Sequence, residues 1–251
     1  HGGFGDKGAL QQQQWQVLQQ APDLVQLYHF SPDGSCGFPG NLQIWYCIQL
    51  VGHQLQCSYR ALSDKDTVLS LTNHCYFNLN NDGSSIHNHL LQSSASHYLP
   101  VDGQTLPTGD ISTVAGTVFD FQQATALAPL LQKNDAAITD TAGFDHCLVW
   151  PDEVPAPATD LATTTATPPW RATLFSPQSG IQLQVFSNKT GLQLYSGQFL
   201  PAPFTALQGL CLEAQHWPDA PNHSHFPSAL LKAGQFYQHQ LCYQFSALDI
   251  N

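Results

Sequence analysis

Apolar and polar residues alternate with a period of two over many short stretches of this chain, each bounded by Gly, Pro, Asn or Asp. Leu42 to Val51, Gln54 to Ala61, Val68 to Leu79, Phe144 to Trp150, Ile181 to Ser187, Gly191 to Phe199, Gly209 to Gln215 and Phe236 to Phe245 follow the pattern. Successive strand side chains point to opposite faces, so such runs predict strands with one face on a core. Their number and shortness predict an all-β sandwich or barrel. A helical period is sustained almost nowhere. The one helical candidate of any length, Leu10 to Gln20, carries a glutamine run of nearly uniform polarity and reads equally as a low-complexity loop insertion. Pro151 to Pro169, rich in Pro, Ala, Thr and Asp, breaks the alternation and predicts an exposed loop insertion at 151–169 within a single domain spanning residues 1–251.

Composition narrows the possible partners. Hydrophobic residues make up 42% of the chain, enough for a sizeable core, but only 10% are charged, and seven Lys and Arg face eighteen Asp and Glu for a formal charge of −11. The basic residues Lys7, Arg60, Lys65, Lys133, Arg171, Lys189 and Lys232 stand singly, with no stripe to neutralise a phosphate backbone or an anionic lipid surface. No nucleic acid and no membrane partner is expected, and no run approaches the roughly 18 consecutive apolar residues of a membrane span. Seven cysteines, at 36, 47, 57, 75, 147, 211 and 242, form no CxxC pair and predict free, mostly buried thiols. Free thiols favour a reducing compartment, and a cytoplasmic location is expected. The chain has no methionine and begins His1-Gly2-Gly3, so a longer gene product is also expected.

Three polar residues on the predicted strands are candidates for chemistry. In Val68 to Leu79, Leu69, Leu71, Cys75, Phe77 and Leu79 fall on one face and Ser70, Thr72, His74, Tyr76 and Asn78 on the other, which turns His74 away from the core. Such a histidine is either an inert surface group or a proton carrier that titrates near neutrality. In Gly209 to Gln215, Leu210, Leu212 and Ala214 alternate with Cys211, Glu213 and Gln215. A glutamate there violates strand propensity, as functional sites often do, and reads equally as an exposed charge on an edge strand. Asp145, after Gly143-Phe144, reads as a turn cap. His223 and His225, with His216 nearby, lie in a Pro-rich segment without a third and fourth ligand that can be placed, so no metal site is expected.

Taken in order, the chain's motifs resemble those of the aldose 1-epimerase (galactose mutarotase) family. They are His1-Gly2-Gly3; Ser31-Pro32-Asp33-Gly34 through Gly37-Phe38-Pro39-Gly40; Leu71-Thr72-Asn73-His74-Cys75-Tyr76-Phe77-Asn78-Leu79; and Tyr98-Leu99-Pro100-Val101-Asp102. Leu106-Pro107-Thr108-Gly109-Asp110, Gly116-Thr117-Val118-Phe119-Asp120-Phe121, Gly143-Phe144-Asp145-His146 and Gln193-Leu194-Tyr195-Ser196-Gly197 follow. Leu212-Glu213-Ala214-Gln215-His216-Trp217-Pro218-Asp219-Ala220-Pro221-Asn222, then Phe226-Pro227, complete the series.

The resemblance implies a galactose mutarotase-like β-supersandwich, here missing its N-terminal strands, and interconversion of the α and β anomers of aldohexoses such as galactose and glucose. By motif position His74 corresponds to the family's general acid and Glu213 to its general base, while His1 and Asp145 correspond to residues that bind the sugar. Trp217, Tyr76 or Tyr195 would supply an apolar platform for a sugar face. The resemblance implies no cofactor, metal or macromolecular partner, and a monomer is expected. The family's earlier Asn-Arg element has no counterpart here, and neither Arg60 nor Arg171 sits in a matching motif. A catalytically impaired sugar-binding protein of the same fold is the alternative.

Overall fold

The computed structural model of the protein describes residues 7–153 and 168–249. They form two large antiparallel sheets packed face to face. The nine-stranded sheet runs, in spatial order, Gln16–Ala21, Leu24–Ser31, Leu42–Val51, Gln54–Ser63, Phe236–Ala247, Ile181–Ser187, Trp170–Phe175, Leu90–Ser93 and Thr125–Ala126. The six-stranded sheet runs Tyr76–Phe77, Leu210–Gln215, Gly191–Tyr195, Asp145–Val149, His97–Leu99 and Ser112–Thr113. A two-stranded pair, Leu230–Leu231 with Thr67–Val68, ties a late segment to the chain that leads towards His74. The only α-helices among the described residues, Leu127–Leu131 and Ala136–Thr139, are short, and no described helix is long and apolar enough to cross a membrane.

Alternation explains the layers. Leu183, Val185, Leu241 and Tyr243 of the large sheet meet Leu148, Leu192, Leu194, Leu212 and Ala214 of the small one in a single buried cluster. That interface removes the apolar half of each strand from water, the main driving force for the fold. The other face of the small sheet is then free to carry polar residues. Cross-strand partners share a face, so Asp145, Tyr195, Cys211 and Tyr76 form one row, and Cys147, Gln193 and Glu213 the next. The lower part of this face is covered by Trp217, Ala220, Phe226 and Ala229, which pack on Cys147 and Val149.

Two expected elements differ from the structure. Val68 to Leu79 is not one strand: only Thr67–Val68 and Tyr76–Phe77 pair as strands, and the residues between are irregular. Side chains satisfy the backbone of that stretch instead of a ladder. Leu71 N–H donates to the Tyr237 hydroxyl at 3.2 Å, Thr72 O accepts from the Tyr59 hydroxyl at 3.3 Å, and Leu71 O lies 3.1 Å from His239 Nδ1. Cys75 N–H closes a local turn on Asn73 Oδ1 at 3.1 Å. Leu10 to Gln20 is not a helix either. Leu10–Gln12 is one 3-10 turn, and Gln16–Ala21 pairs with Leu24–Ser31 as the sheet's edge. Without an apolar stripe to bury, the glutamine-rich segment gains nothing as a helix, whereas an edge strand tolerates polar residues on both faces. Of the insertion at 151–169, residues 154–167 lie outside the described residues.

Candidate active site

Glu213 occupies the second strand of the small sheet, between Gly191–Tyr195 and Tyr76–Phe77, and is not the exposed edge charge that its sequence also allowed. Its side chain is 8% exposed, and that of His74, which lies against it from the irregular segment, is 32% exposed. Nε2 of His74 is 3.5 Å from Oε1 of Glu213. The carboxyl therefore sits in a nearly dry wall, while the imidazole stays reachable from outside.

Asp145 begins its strand in the next row. Gly143, two residues earlier, has φ +152, and a Cβ there would lie 2.5 Å from Ser196 Oγ and 3.0 Å from Gln198 Oε1, so the close turn into Phe144-Asp145 needs glycine. Gln193, cross-strand neighbour of Glu213, donates from Nε2 to Asp145 Oδ1 at 2.8 Å. The other end of that amide, Oε1, is buried with no protein donor. Aromatic rings complete the wall: Tyr76 stacks on His74 with centroids 5.1 Å apart, and Tyr195 meets both edge-on. Cys211, fully buried, brings Sγ to 3.4 Å from Nδ1 of His74.

Burial dominates the electrostatics. It pushes Glu213 up to about 8, with the charge of Asp145 adding to the effect. Asp145 is raised by burial as well, against the opposing pull of the Gln193 amide and of His74. His74 is lowered by burial, partly offset by its own main chain and by Asp145. Near neutral pH, Glu213 and His74 thus hold one exchangeable proton between them, with the neutral carboxyl and neutral imidazole favoured in the dry site.

The structure brings three of the expected residues together: His74, Glu213 and Asp145. His1 lies outside the described residues. Trp217 is not available as a platform, because it is buried, donates from Nε1 to Thr190 O at 2.8 Å and packs on Phe226. Tyr76 and Tyr195 stand beside His74 instead. Arg171 serves the frame, with both guanidinium NH groups on the Glu153 carboxylate at 2.9 and 2.7 Å and Nε on Ser187 O. His216, His223 and His225 have separate partners in Lys189, Asp219 and Gly109 O. Among the described residues the one grouping with metal-ligand spacing is His74, Cys211 and Glu213, with donor atoms within 4.8 Å of one another. At closest approach the sulfur and the carboxylate face different nitrogens of the ring.

Gln193 and Cys211 were not singled out by the sequence. The available signal was positional: Cys211 shares a face with Glu213 on one strand and Gln193 with Tyr195 on another, but only the register sets the two strands' residues side by side. A cleft of about 400 Å³ adjoins the site through Tyr76 and is lined further by Asn78, Leu200, Phe204 and Gln208. The Asn78 and Gln208 amide groups are taken up by Ser84 O, Gln208 O and Gly83 O.

Fold and site together define a galactose mutarotase-like β-supersandwich. The crystal structure of an aldose epimerase homologue from C. elegans superposes with a TM-score of 0.81 at 28% identity, covering 95% of this chain and 70% of that one. Galactose 1-epimerase from Lactobacillus acidophilus superposes with a TM-score of 0.78 at 25% identity, covering 98% of this chain and 73% of that one. The sequence profile of the aldose 1-epimerase family matches residues 1–244, and the chain belongs to that family. Among its relatives, galactose mutarotase of Bos taurus is 37% identical over 88% of this chain, and aldose 1-epimerase of Escherichia coli K12 is 34% identical over 97% of it. The chain spans 63% of the length of the bovine protein and 70% of the bacterial one.

Proposed function

We propose that the protein carrying this chain interconverts the α and β anomers of aldohexoses, galactose and glucose among them, with His74 and Glu213 as its acid and base. The observation that carries this reading is the 3.5 Å approach of His74 Nε2 to Glu213 Oε1 in a wall that also presents Asp145 and Gln193. Opening a cyclic hemiacetal requires one proton to leave the C1 hydroxyl and another to reach the ring oxygen. Glu213 as carboxylate takes the first, and His74 as imidazolium gives the second from Nε2. The bond from C1 to the ring oxygen breaks as the C1 carbonyl forms. Rotation about the bond from C1 to C2 turns the other carbonyl face inward, after which Glu213 and His74 return and retake their protons in reverse.

The site's electrostatics fit this cycle. The cyclic sugar reacts with the ionised pair, and the open aldehyde coexists with the neutral pair. Burial favours the neutral pair, so the environment stabilises the protonation state that accompanies the least stable form of the sugar. Asp145, held by the Gln193 amide, offers acceptors for sugar hydroxyls, and Tyr76 and Tyr195 a face for the ring's C–H groups. The seven unpaired cysteines support a reducing compartment such as the cytoplasm.

Polarimetry of freshly dissolved α-galactose and α-glucose with the full-length protein tests the reading. A rate far above buffer is expected, reduced roughly 10²–10⁴-fold in Glu213→Gln and in His74→Asn. Sugar binding without any rate above buffer would instead identify an impaired sugar-binding protein of the same fold.

A further inference from the structure

We propose that Cys211 is a positioning residue for His74: its sulfur receives the Nδ1 proton, fixes the ring, and leaves Nε2 as the one nitrogen that gains and releases protons. The inference rests on the anomer-interconverting reading above. Its geometric basis is that Cys211 and Glu213, two apart on one strand, approach opposite nitrogens of the same imidazole at 3.4 and 3.5 Å. The ring therefore spans two neighbouring rows of the sheet, with the sulfur on one side and the carboxyl on the other.

The direction of the Cys211 contact decides whether the cycle can close. A thiol that donated to Nδ1 would leave the neutral ring with its proton on Nε2, unable to retake the proton from the sugar's oxygen. A sulfur that accepts from Nδ1–H leaves Nε2 empty in the neutral ring and protonated in the cation, as both half-reactions require. The facing carboxyl favours acceptance: Nε2 lies 3.5 Å from Glu213 Oε1, and a protonated carboxyl there can donate to it only when the neutral ring carries its hydrogen on Nδ1. The Tyr76 hydroxyl, paired with the same sulfur and stacked on the same imidazole, holds both partners in place. Burial keeps Cys211 a neutral thiol, so the sulfur orients the ring without forming an ion pair that would trap His74 as a cation.

The test combines kinetics with ¹⁵N NMR of His74 in the full-length protein. Cys211→Ala is expected to lower kcat roughly 10–100-fold, the usual effect of losing a ring-orienting partner, with KM within about 2-fold. The pH–rate limb belonging to His74 should shift as well, and the neutral ring should change from the Nδ1–H tautomer to a mixture. Cys211→Ser, which keeps an acceptor, should restore kcat to within about 5-fold of wild type. Wild-type kcat and tautomer in the alanine variant would overturn the proposal, as would an Nε2–H tautomer in the wild-type protein. If the wild-type protein shows no mutarotation but its Nδ1–H tautomer is lost in Cys211→Ala, the positioning contact stands and the functional reading falls.

Discussion

Glu213 and His74 are useful to each other because neither is comfortable charged. A carboxyl raised to about 8 and a histidine lowered from its ordinary 6.5 share one proton over the neutral range, and the proposed cycle requires one. The pH dependence of kcat/KM follows with a definite sign. Activity should fall as pH rises above about 8, where the pair loses its last proton, and fall again as pH drops through the lowered pKa of His74, where both groups hold one. A pH series by polarimetry checks this, and a flat profile between pH 5 and 9 would remove the pair from the rate law. Glu213→Gln should abolish the bell, since the amide does not titrate in that range.

At the scale of elements, the segment between Thr67–Val68 and Tyr76–Phe77 determines where His74 sits. Removing the hydroxyl in Tyr237→Phe leaves the buried Leu71 N–H without its acceptor, at an expected cost of about 1–3 kcal/mol in urea unfolding. Because Leu71 lies three residues before His74, kcat should also drop several-fold while KM changes little. Equal stability and equal kcat in this variant would show that the segment is held by other contacts. The same segment explains where the sequence misled. Its period-two alternation is real, but the main chain of Leu71 and Thr72 is partnered by side chains of the nine-stranded sheet, which no local pattern encodes. Ile181–Ser187, where buried residues alternate with half-buried ones, and Leu42–Val51, which does the same at its start, were legible to the residue. Trp170–Phe175 was not, because it is buried on both faces and shows no alternation. Leu24–Ser31, half-buried along nearly its whole length, hid for a similar reason. In the site, His74, Glu213 and Asp145 were recognisable only as parts of an ordered series of motifs, since each alone has an ordinary structural explanation. Gln193 and Cys211 needed the cross-strand register.

For the whole molecule, buried histidines set the acid limit of stability. His89 and His146 are pushed down to about 4, His216 to about 3 and His239 well below its ordinary value, all mainly by burial. Each has a lower pKa folded than unfolded, so below pH 6.5 the unfolded chain binds more protons and stability falls with pH. Glu213, raised when folded, acts in the opposite direction between 4.5 and about 8, and Asp145 does so above 3.8, but they are two groups against four. Lys189, buried beside His216 and over the Tyr237 ring and lowered to about 7, adds stability as pH rises from there towards 10.5. Differential scanning calorimetry should therefore find Tm falling by roughly 10–20 °C between pH 7 and pH 4. A Tm unchanged over that interval would mean that these histidines are protonated without cost.

Glu213 is supported by one sheet and His74 by both. The main chain just before His74 hangs from Tyr59, Tyr237 and His239 of the nine-stranded sheet, while Cys211 and Tyr76 hold its ring from the six-stranded one, on which Glu213, Gln193 and Asp145 also stand. The gap between imidazole and carboxyl is thus a gauge of how the two layers are aligned. A slip of one layer over the other by a single ångström would leave the strands paired and the core covered, yet would strain the His74 to Glu213 contact, so the proposed turnover would depend on the mechanical alignment of the sandwich before it depends on the sandwich staying folded.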